Sequence, residues 1–173
     1  TTTATPMYVK ANAVECLNLA EIDVTYEHNS LTLSNGTLGS VYGDGTDYPA
    51  SNCNDDDLTN LCHTACDGSN DWVRFKFETS SPTLTVTVTN RVACCDDRIN
   101  GGSIEILDAN MNVISTQAID STESSYTFVF YVGTARPSAS PTMARPLTTD
   151  LDHELCFEQC DLTDHVGGMD ATL

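Results

Sequence analysis

Two adjacent cysteines lie between two arginines in the segment NRVACCDDRING, residues 90–101. The chain has seven Lys and Arg against 25 Asp and Glu, so Arg91 and Arg98 concentrate a scarce charge in one short loop. Because a strand is predicted just before this loop, both guanidinium groups are expected at one rim of the fold, where they bind a ligand or neutralise neighbouring acids. Cys94 and Cys95 either close a strained eight-membered ring with each other or pair with different partners.

A second group of candidate residues lies in the long loop, residues 40–71, which has little strand character. Loops of this length in a compact domain are commonly functional or held by a ligand. Asn52, Asp55 and Asp57 supply oxygen atoms at spacings of three and two, enough to surround a hard cation with help from backbone carbonyls. The alternative is a solvated acidic turn, and the twelve-residue EF-hand pattern is absent.

Eight cysteines in 173 residues, without a repeated CxxC zinc pattern, indicate disulfides and an oxidising, extracellular compartment. Cys16, Cys53, Cys62 and Cys66 alone allow three pairings, and the sequence does not decide among them. His63 follows Cys62 directly. A closed zinc site here would lack a fourth ligand, so His63 is interpreted as a hydrogen-bonding residue when it is considered in isolation.

The charge of the chain limits its partners. A formal net charge of −18 and an isoelectric point near 4.1 repel phosphate backbones and anionic membranes, so neither nucleic-acid nor membrane-surface binding is expected, whereas cations such as calcium are natural counterions. No apolar run approaches the roughly 20 residues of a membrane span, and the opening TTTATP lacks signal-peptide features, so the chain is interpreted as mature and secreted. Hydrolase, zinc-peptidase and phosphate-loop motifs are absent, so no enzymatic activity is predicted.

The elements that position these residues are predicted to be strands. Apolar and polar residues alternate in five segments that end in turn-forming residues: AEIDVTY, WVRFKFE, TLTVTVTN, GSIEILD and YTFVFYV. We therefore predict an all-β sandwich over residues 7–132, preceded by an N-terminal extension of residues 1–6. Asn35 begins an Asn-Gly-Thr sequon in a predicted turn and is a candidate for N-glycosylation.

The composition changes after the predicted sandwich. Residues 133–149 are rich in Ser, Thr and Pro and are expected to form an extended linker suited to O-glycans. Residues 150–173 form a small tail with Cys156 and Cys160, a spacing that fits one helical turn or a small disulfide loop. Because the tail cannot form a core alone, residues 133–173 and the N-terminus are expected to dock onto the sandwich or onto a neighbouring subunit in a self-assembly.

Four segments together resemble a known family. NRVACCDDRINGGSIEILD resembles the strand and loop of the F-type lectins, fucose-binding members of the discoidin-like galactose-binding domains, whose signature reads Arg-x-Asp-Cys-Cys-x-x-Arg. CHTACDGSNDWVRFKF, SNCNDDDLTN and ECLNLAEIDVTY are similar to the family's Cys-His-Thr stretch, calcium loop and final strand. The resemblance covers most of residues 8–131, with the family's last strand moved to the N-terminus, and departs from the signature at Ala93, where the family has Asp.

The resemblance implies a discoidin-like jelly-roll β-sandwich of about eight antiparallel strands, with residues 133–173 as a C-terminal Ser/Pro-rich extension. It also implies a calcium site whose side-chain ligands are Glu21, Asn52, Asp55 and Asp57, helped by backbone oxygens of Ala20 and of the turn at 58–60. Glu21 would then lie beside the loop at 52–57. The ion would hold that loop on the sandwich.

The resemblance further implies a sugar site formed by His63, Arg91 and Arg98. A disulfide between Cys94 and Cys95 would offer an apolar ledge to the sugar ring. Arginine and histidine donate fixed hydrogen bonds to hydroxyl and ring oxygens, and a shallow site of this kind binds weakly unless it is multivalent.

Two functions follow from the sequence. The first is a secreted, calcium-stabilised carbohydrate-binding module of the fucose or galactose type, whose partners are glycans. The alternative is a structural glycoprotein subunit of an extracellular fibre, coat or matrix, assembled through its tails.

Overall fold

The computed structural model describes residues 3–68, 71–91 and 94–133. These residues contain ten strands: β1 (Thr5–Asn12), β2 (Asn18–Tyr26), β3 (Asn29–Ser30), β4 (Ser34–Leu38), β5 (Cys62–His63), β6 (Trp72–Thr79), β7 (Thr83–Asn90), β8 (Ser103–Leu107), β9 (Val113–Ala118) and β10 (Ser125–Tyr131). Two 3₁₀ turns, Ala50–Cys53 and Asp96–Ile99, interrupt the loops. The predicted linker from residue 134 and the tail at 150–173 lie outside the described residues.

The strands form two sheets, and every pairing is antiparallel. One sheet has the order β4-β6-β1-β8-β9, and the other has the order β10-β7-β2-β3 with β5 added to β2. The arrangement confirms the all-β class and is consistent with a β-sandwich. Each of the five segments predicted from alternation is a strand: β2, β6, β7, β8 and β10.

The core lies on the inward faces of both sheets. Alternate residues are buried along β6 and β7, as period-two side-chain alternation requires. Phe75, Phe77 and Phe130 are the largest fully buried side chains. Full burial of one such side chain stabilises the folded state by about 1.5–3 kcal/mol.

Strand β1 begins at Thr5, within the predicted N-terminal extension, and lies at the centre of its sheet. Val9 pairs with Phe75 on one side and with Ile106 on the other. Met7, Val9 and Ala11 are buried, so the alternation that identifies the other strands is present here as well. β1 is therefore the central strand of this sheet, and residues 5 and 6 belong to it.

Two disulfides, Cys16–Cys66 and Cys53–Cys62, tie the long loop to the second sheet. They are compatible with an extracellular protein. No helix of the described ranges is long and apolar enough to cross a membrane.

Candidate functional site

A small cavity of about 280 Å³ lies beside the end of β7. We call it the arginine cavity. The residues that line it are Tyr42, Tyr48, His63, Cys66, Arg91, Cys95 and Arg98. The structure therefore brings together four of the five residues that the resemblance implied for sugar binding, and Cys94 is absent from the lining among the described residues.

Asn90 holds the arginine loop in place. Its side chain is fully buried, and its Nδ2 donates to the carbonyl oxygens of Asp96 at 2.8 Å and Glu123 at 3.1 Å. Its Oδ1 accepts a hydrogen bond from the backbone N–H of Arg91 at 2.8 Å. One buried amide thus connects the end of β7 to the 3₁₀ turn that carries Arg98, which fixes both arginines relative to the sheet.

The two glycines after Arg98 close the same loop. Gly101 has φ 80°, a conformation that favours glycine, and its N–H donates to the carbonyl oxygen of Ile119 at 2.7 Å. A Cβ on Gly102 would overlap the carbonyl oxygen of Asn12. Only glycine permits this close return of the chain to the first sheet, which explains the Asn-Gly-Gly run after the arginine.

His63 is buried and neutral at physiological pH. Burial lowers its pKa below the ordinary value of 6.5, and the positive charges of Arg98 and Arg91 lower it further. Its Nδ1 lies 2.6 Å from the carbonyl oxygen of Thr64, which can only accept, so the neutral ring carries its proton on Nδ1. The Nε2 atom is then a hydrogen-bond acceptor.

Two tyrosines complete the cavity and were missed by sequence reasoning. The ring centroids of Tyr42 and Tyr48 lie 4.6 Å and 5.8 Å from that of His63. Tyr42 is 48 % exposed, so part of its side chain is accessible from solvent. The sequence does show two tyrosines in the long loop. Nothing in their spacing indicates that they lie beside His63 and the arginines.

The two arginines have few partners. Arg98 Nη1 lies 3.3 Å from Sγ of Cys16 in the Cys16–Cys66 disulfide. The Nε atom of Arg91 is buried and has no hydrogen-bond partner among the described residues. No ion pair joins either guanidinium to a carboxylate within the described ranges.

The implied disulfide between Cys94 and Cys95 is absent, which corrects that prediction. Both residues are free thiols, with their Sγ atoms 3.0 Å apart. Closing the ring would strain the peptide between them, and Cys95 instead adopts a left-handed backbone, φ 61°, at the start of the 3₁₀ turn. The hydrogen bond with Cys94 raises the pKa of the Cys95 thiol. Ala93, where the family has Asp, lies outside the described residues.

A second site lies on the outward face of β2, and we call it the acid cluster. One oxygen each from Glu21, Asp23 and Asp56 lies within 4.8 Å of the others. Glu21 is 3 % exposed; its Oε2 accepts from the backbone N–H of Asp55 at 3.3 Å, and its Oε1 is buried without a partner in the described chain. Burial, helped by the charges of Asp23, Asp55 and Asp56, raises the pKa of Glu21 to about 7.

A bulge in β2 produces this placement. The register with β7 shifts between Leu19 and Glu21, so Leu19 packs in the core while Glu21 pairs with Thr89 and turns outward. The loop after the 3₁₀ turn Ala50–Cys53 then lies over Glu21. The geometric expectation that Glu21 adjoins the loop at 52–57 is met by its contact with Asp55.

The remaining predicted calcium ligands have other contacts. Asp55 accepts from the Asp57 N–H at 3.0 Å and from Asn60 Nδ2 at 2.8 Å, and Asp57 accepts from Thr59. Asn52 donates through Nδ2 to the carbonyl oxygen of Leu61 at 3.1 Å.

Asn52 and Ala20 line a separate cavity that Arg91 also borders, and the positive charge of Arg91 disfavours a cation there. The acids that do converge on Glu21 are Asp23 and Asp56, which sequence reasoning missed.

The acid cluster fits a hard cation. Three carboxylates are the ligands that calcium prefers, and the unpartnered Oε1 of Glu21 needs either a proton or a cation. Asp23 follows Glu21 by two residues and so lies on the same face of β2, a signal that the sequence did contain.

Comparison of the chain with family models, with curated proteins and with solved structures found no match. The likeness to the F-type lectins therefore depends on the four motifs alone.

Proposed function

We propose that the chain is a secreted, calcium-stabilised carbohydrate-binding module of the lectin type, and a binding protein rather than an enzyme. The observation that carries the proposal is the arginine cavity, where His63, Arg91 and Arg98 from three separate segments meet beside an exposed tyrosine ring. We also propose that the two sheets belong to a discoidin-like jelly roll, the fold in which the resemblance would place such a site.

The chemistry of the arginine cavity suits a sugar. The guanidinium groups donate in a fixed fork to ring and hydroxyl oxygens, and Nε2 of His63 accepts from a hydroxyl. The exposed part of the Tyr42 side chain packs against the C–H groups of a sugar ring. The volume of about 280 Å³ is below the roughly 300–1,000 Å³ of sites for drug-sized ligands, so the cavity accommodates about one sugar residue.

Calcium would be held by Glu21, Asp23 and Asp56, with the neighbouring Asp55 completing the group. The ion would neutralise a buried carboxylate and fasten the loop that contains the 3₁₀ turn Ala50–Cys53 onto β2. Because the same long loop supplies Tyr42, Tyr48 and His63, a fastened loop keeps the arginine cavity in shape.

The test is a glycan-array screen of the full chain in calcium and after chelation. We expect binding in calcium, loss of signal for Arg91→Ala and Arg98→Ala, and no change for Lys76→Ala, whose charge pairs with Glu78 on the other sheet. Circular dichroism checks that each variant is folded. An array that stays blank for the folded wild-type chain would rule out the proposal.

A second candidate, a structural subunit of an extracellular assembly, is favoured by the outer strands. β9 and β10 are the last strands of their sheets and expose Val113, Ile114, Val129 and Tyr131. Exposed apolar side chains on an unpaired edge favour association with another strand. Sedimentation of the full chain tests it: assembly that is lost in Val129→Lys with Tyr131→Lys supports this function, whereas a monomeric wild-type chain excludes it.

The Asn-Gly-Thr sequon that begins at Asn35 stays a predicted N-glycosylation site. Asn35 is exposed on β4, at the edge of the first sheet, and has φ 51°. A glycan here would cover that edge and leave β9 as the open edge of the same sheet.

A further inference from the structure

The positive charges of the described chain fall into two classes. Three cations on the first sheet are partnered: Lys10 pairs with Glu105 at 3.4 Å, Lys76 pairs with Glu78 at 3.6 Å, and Arg74 stacks on Trp72 with 5.1 Å to the ring centroid. The other two are Arg91 and Arg98, which have no carboxylate partner in the part of the chain that the structure describes. Among the described residues Arg91 and Arg98 thus differ from Arg74 in having neither a carboxylate nor an aromatic partner, and both line one cavity.

The arginine cavity also lacks acids. None of its described lining residues is Asp or Glu. The carboxylate that acts electrostatically on His63 is Asp71, and its oxygens accept hydrogen bonds from Cys66 N–H at 3.2 Å, Gly68 N–H at 2.8 Å and the Ser40 hydroxyl at 3.4 Å. Asp71 is buried and its oxygens accept hydrogen bonds from the long loop, and it forms no ion pair with either guanidinium. The described lining of the cavity therefore contains two guanidinium groups and no carboxylate.

We propose that the arginine cavity selects a sugar residue that carries a negative group, a sulfate ester or a carboxylate, over the neutral form of the same sugar. This inference rests on the proposed carbohydrate-binding function and names its ligand class. Arginine is suited to such groups because its planar fork bonds two oxygens of one anion at once. A neutral sugar would satisfy the hydrogen bonds but leave both charges unmatched.

The net negative charge of the rest of the molecule favours a ligand with a single anionic group over a polyanion. The chain repels long polyanions through its net charge of −18, whereas one charged sugar at the end of a glycan meets only the local field of the two arginines. A terminal or isolated acidic sugar is thus favoured over a densely sulfated polymer. Tyr42 and the Nε2 acceptor of His63 remain available for the uncharged part of the same ring.

The experiment measures affinity of the full chain, in calcium, for matched pairs: galactose with galactose 6-sulfate and galacturonic acid, and an array of neutral glycans printed beside their sulfated forms. We expect the charged member to bind at least about tenfold more tightly, since a hydrogen bond to a charged group is worth about that much more than a neutral one. The preference should shrink as salt is raised. Arg91→Gln and Arg98→Gln, which keep polar donors but remove the charge, should bring the ratio near one, while Arg98→Lys retains part of it and Lys76→Gln leaves it unchanged.

Three outcomes of this experiment would contradict the inference, and they differ in what they imply for the proposed carbohydrate binding. Equal affinity for neutral and charged members overturns the inference and leaves the proposed carbohydrate binding intact. Absence of binding to every sugar overturns both. A charged-sugar preference that persists in the folded Arg91→Gln, Arg98→Gln double variant assigns the anion to a different surface and also overturns the inference.

Discussion

The arginine cavity and the acid cluster share the long loop but lie at different strands. The arginine cavity is beside the end of β7 and the acid cluster is on β2, and both leave charge without a protein partner among the described residues. They differ in how that charge can be neutralised. Arginine stays protonated at every physiological pH, so Arg91 and Arg98 can be matched only by an anion. Glu21, with a pKa raised to about 7, can take a proton instead, so protons and cations compete for it.

The largest expected effect is that of removing the disulfide Cys16–Cys66, which should disrupt the arginine cavity and leave the acid cluster in place. Cys16–Cys66 borders the arginine cavity through Cys66 and through the contact of Cys16 with Arg98. Removing it as Cys16→Ala with Cys66→Ala opens a covalent loop of 50 residues, which should lower the free energy of unfolding by about 4 kcal/mol in urea titrations. We expect sugar binding to be lost.

The calcium response should survive in this variant, because Cys53–Cys62 still holds the loop beside Glu21. The thermal shift on adding calcium measures that response. A variant that retains sugar binding, or one that loses the calcium shift while it remains folded, would show that the two sites are not separable in this way.

The next effect concerns the acid cluster alone. Calcium at roughly a hundred times its Kd should stabilise the chain by about 2.7 kcal/mol, a rise in Tm of about 10 °C. Glu21→Gln should abolish this shift, because it removes the buried carboxylate while keeping its shape. Asp44→Asn, an exposed acid of the same loop that bonds only Thr46, is the matched control and should keep the full shift. A calcium shift that is the same in Glu21→Gln and in wild type would remove Glu21 from the site.

A smaller effect is the pH dependence of calcium binding. Glu21 must lose its proton to bind the ion, so with a pKa of about 7 the affinity should fall about tenfold between pH 8 and pH 6. In the metal-free chain the sign is reversed: the raised pKa favours the protonated folded state, so this contribution is full below pH 4.5 and is lost as pH rises through 7. Calorimetric titrations and urea melts across pH measure both, and Glu21→Gln should flatten both profiles.

The smallest effect belongs to His63. Its lowered pKa contributes stability above pH 6.5 that is lost as pH falls through the lower folded value, where the ring gains a charge. The groups that face it are the Thr64 carbonyl, Arg91, Arg98, Asp71 and the rings of Tyr42 and Tyr48. The added charge should strengthen binding of a sulfated sugar by about twofold to fivefold at saturating calcium. His63→Gln should remove this increase, and an affinity independent of pH in wild type would contradict the assignment.

Much of the fold could be predicted from sequence, because alternation marks a strand whose two faces differ. Alternation predicts five strands, and β1 shows the limit: residues 7–12 fall inside the predicted sandwich, but Thr5 and Pro6, which fall in the predicted N-terminal extension, belong to the strand. What the sequence predicts for residues 1, 2, 69, 70, 92, 93 and 134–173 stays a prediction, since these residues lie outside the described ranges.

The sites divide in the same manner. Arg91, Arg98 and His63 are predicted to share a site only through the resemblance to the F-type lectins, and all three line the arginine cavity. Asp56 could not be predicted, because the path of the loop decides which of its carboxylates reaches Glu21. Asp23 follows Glu21 by two residues on the same face of β2, but the bulge at Leu19 and Glu21 decides that this face turns away from the core. The free thiols of Cys94 and Cys95 likewise follow from the backbone of the 3₁₀ turn and not from their adjacency.

The most direct test of the central claim is a glycan array probed with the full chain in calcium, in parallel with folded Arg98→Ala and Lys76→Ala. If the arginine cavity binds sugar, the wild type and Lys76→Ala give the same set of bound glycans, and Arg98→Ala gives none. If Arg98→Ala binds the same glycans as the wild type, or if the wild type binds none, the arginine cavity is not a sugar site.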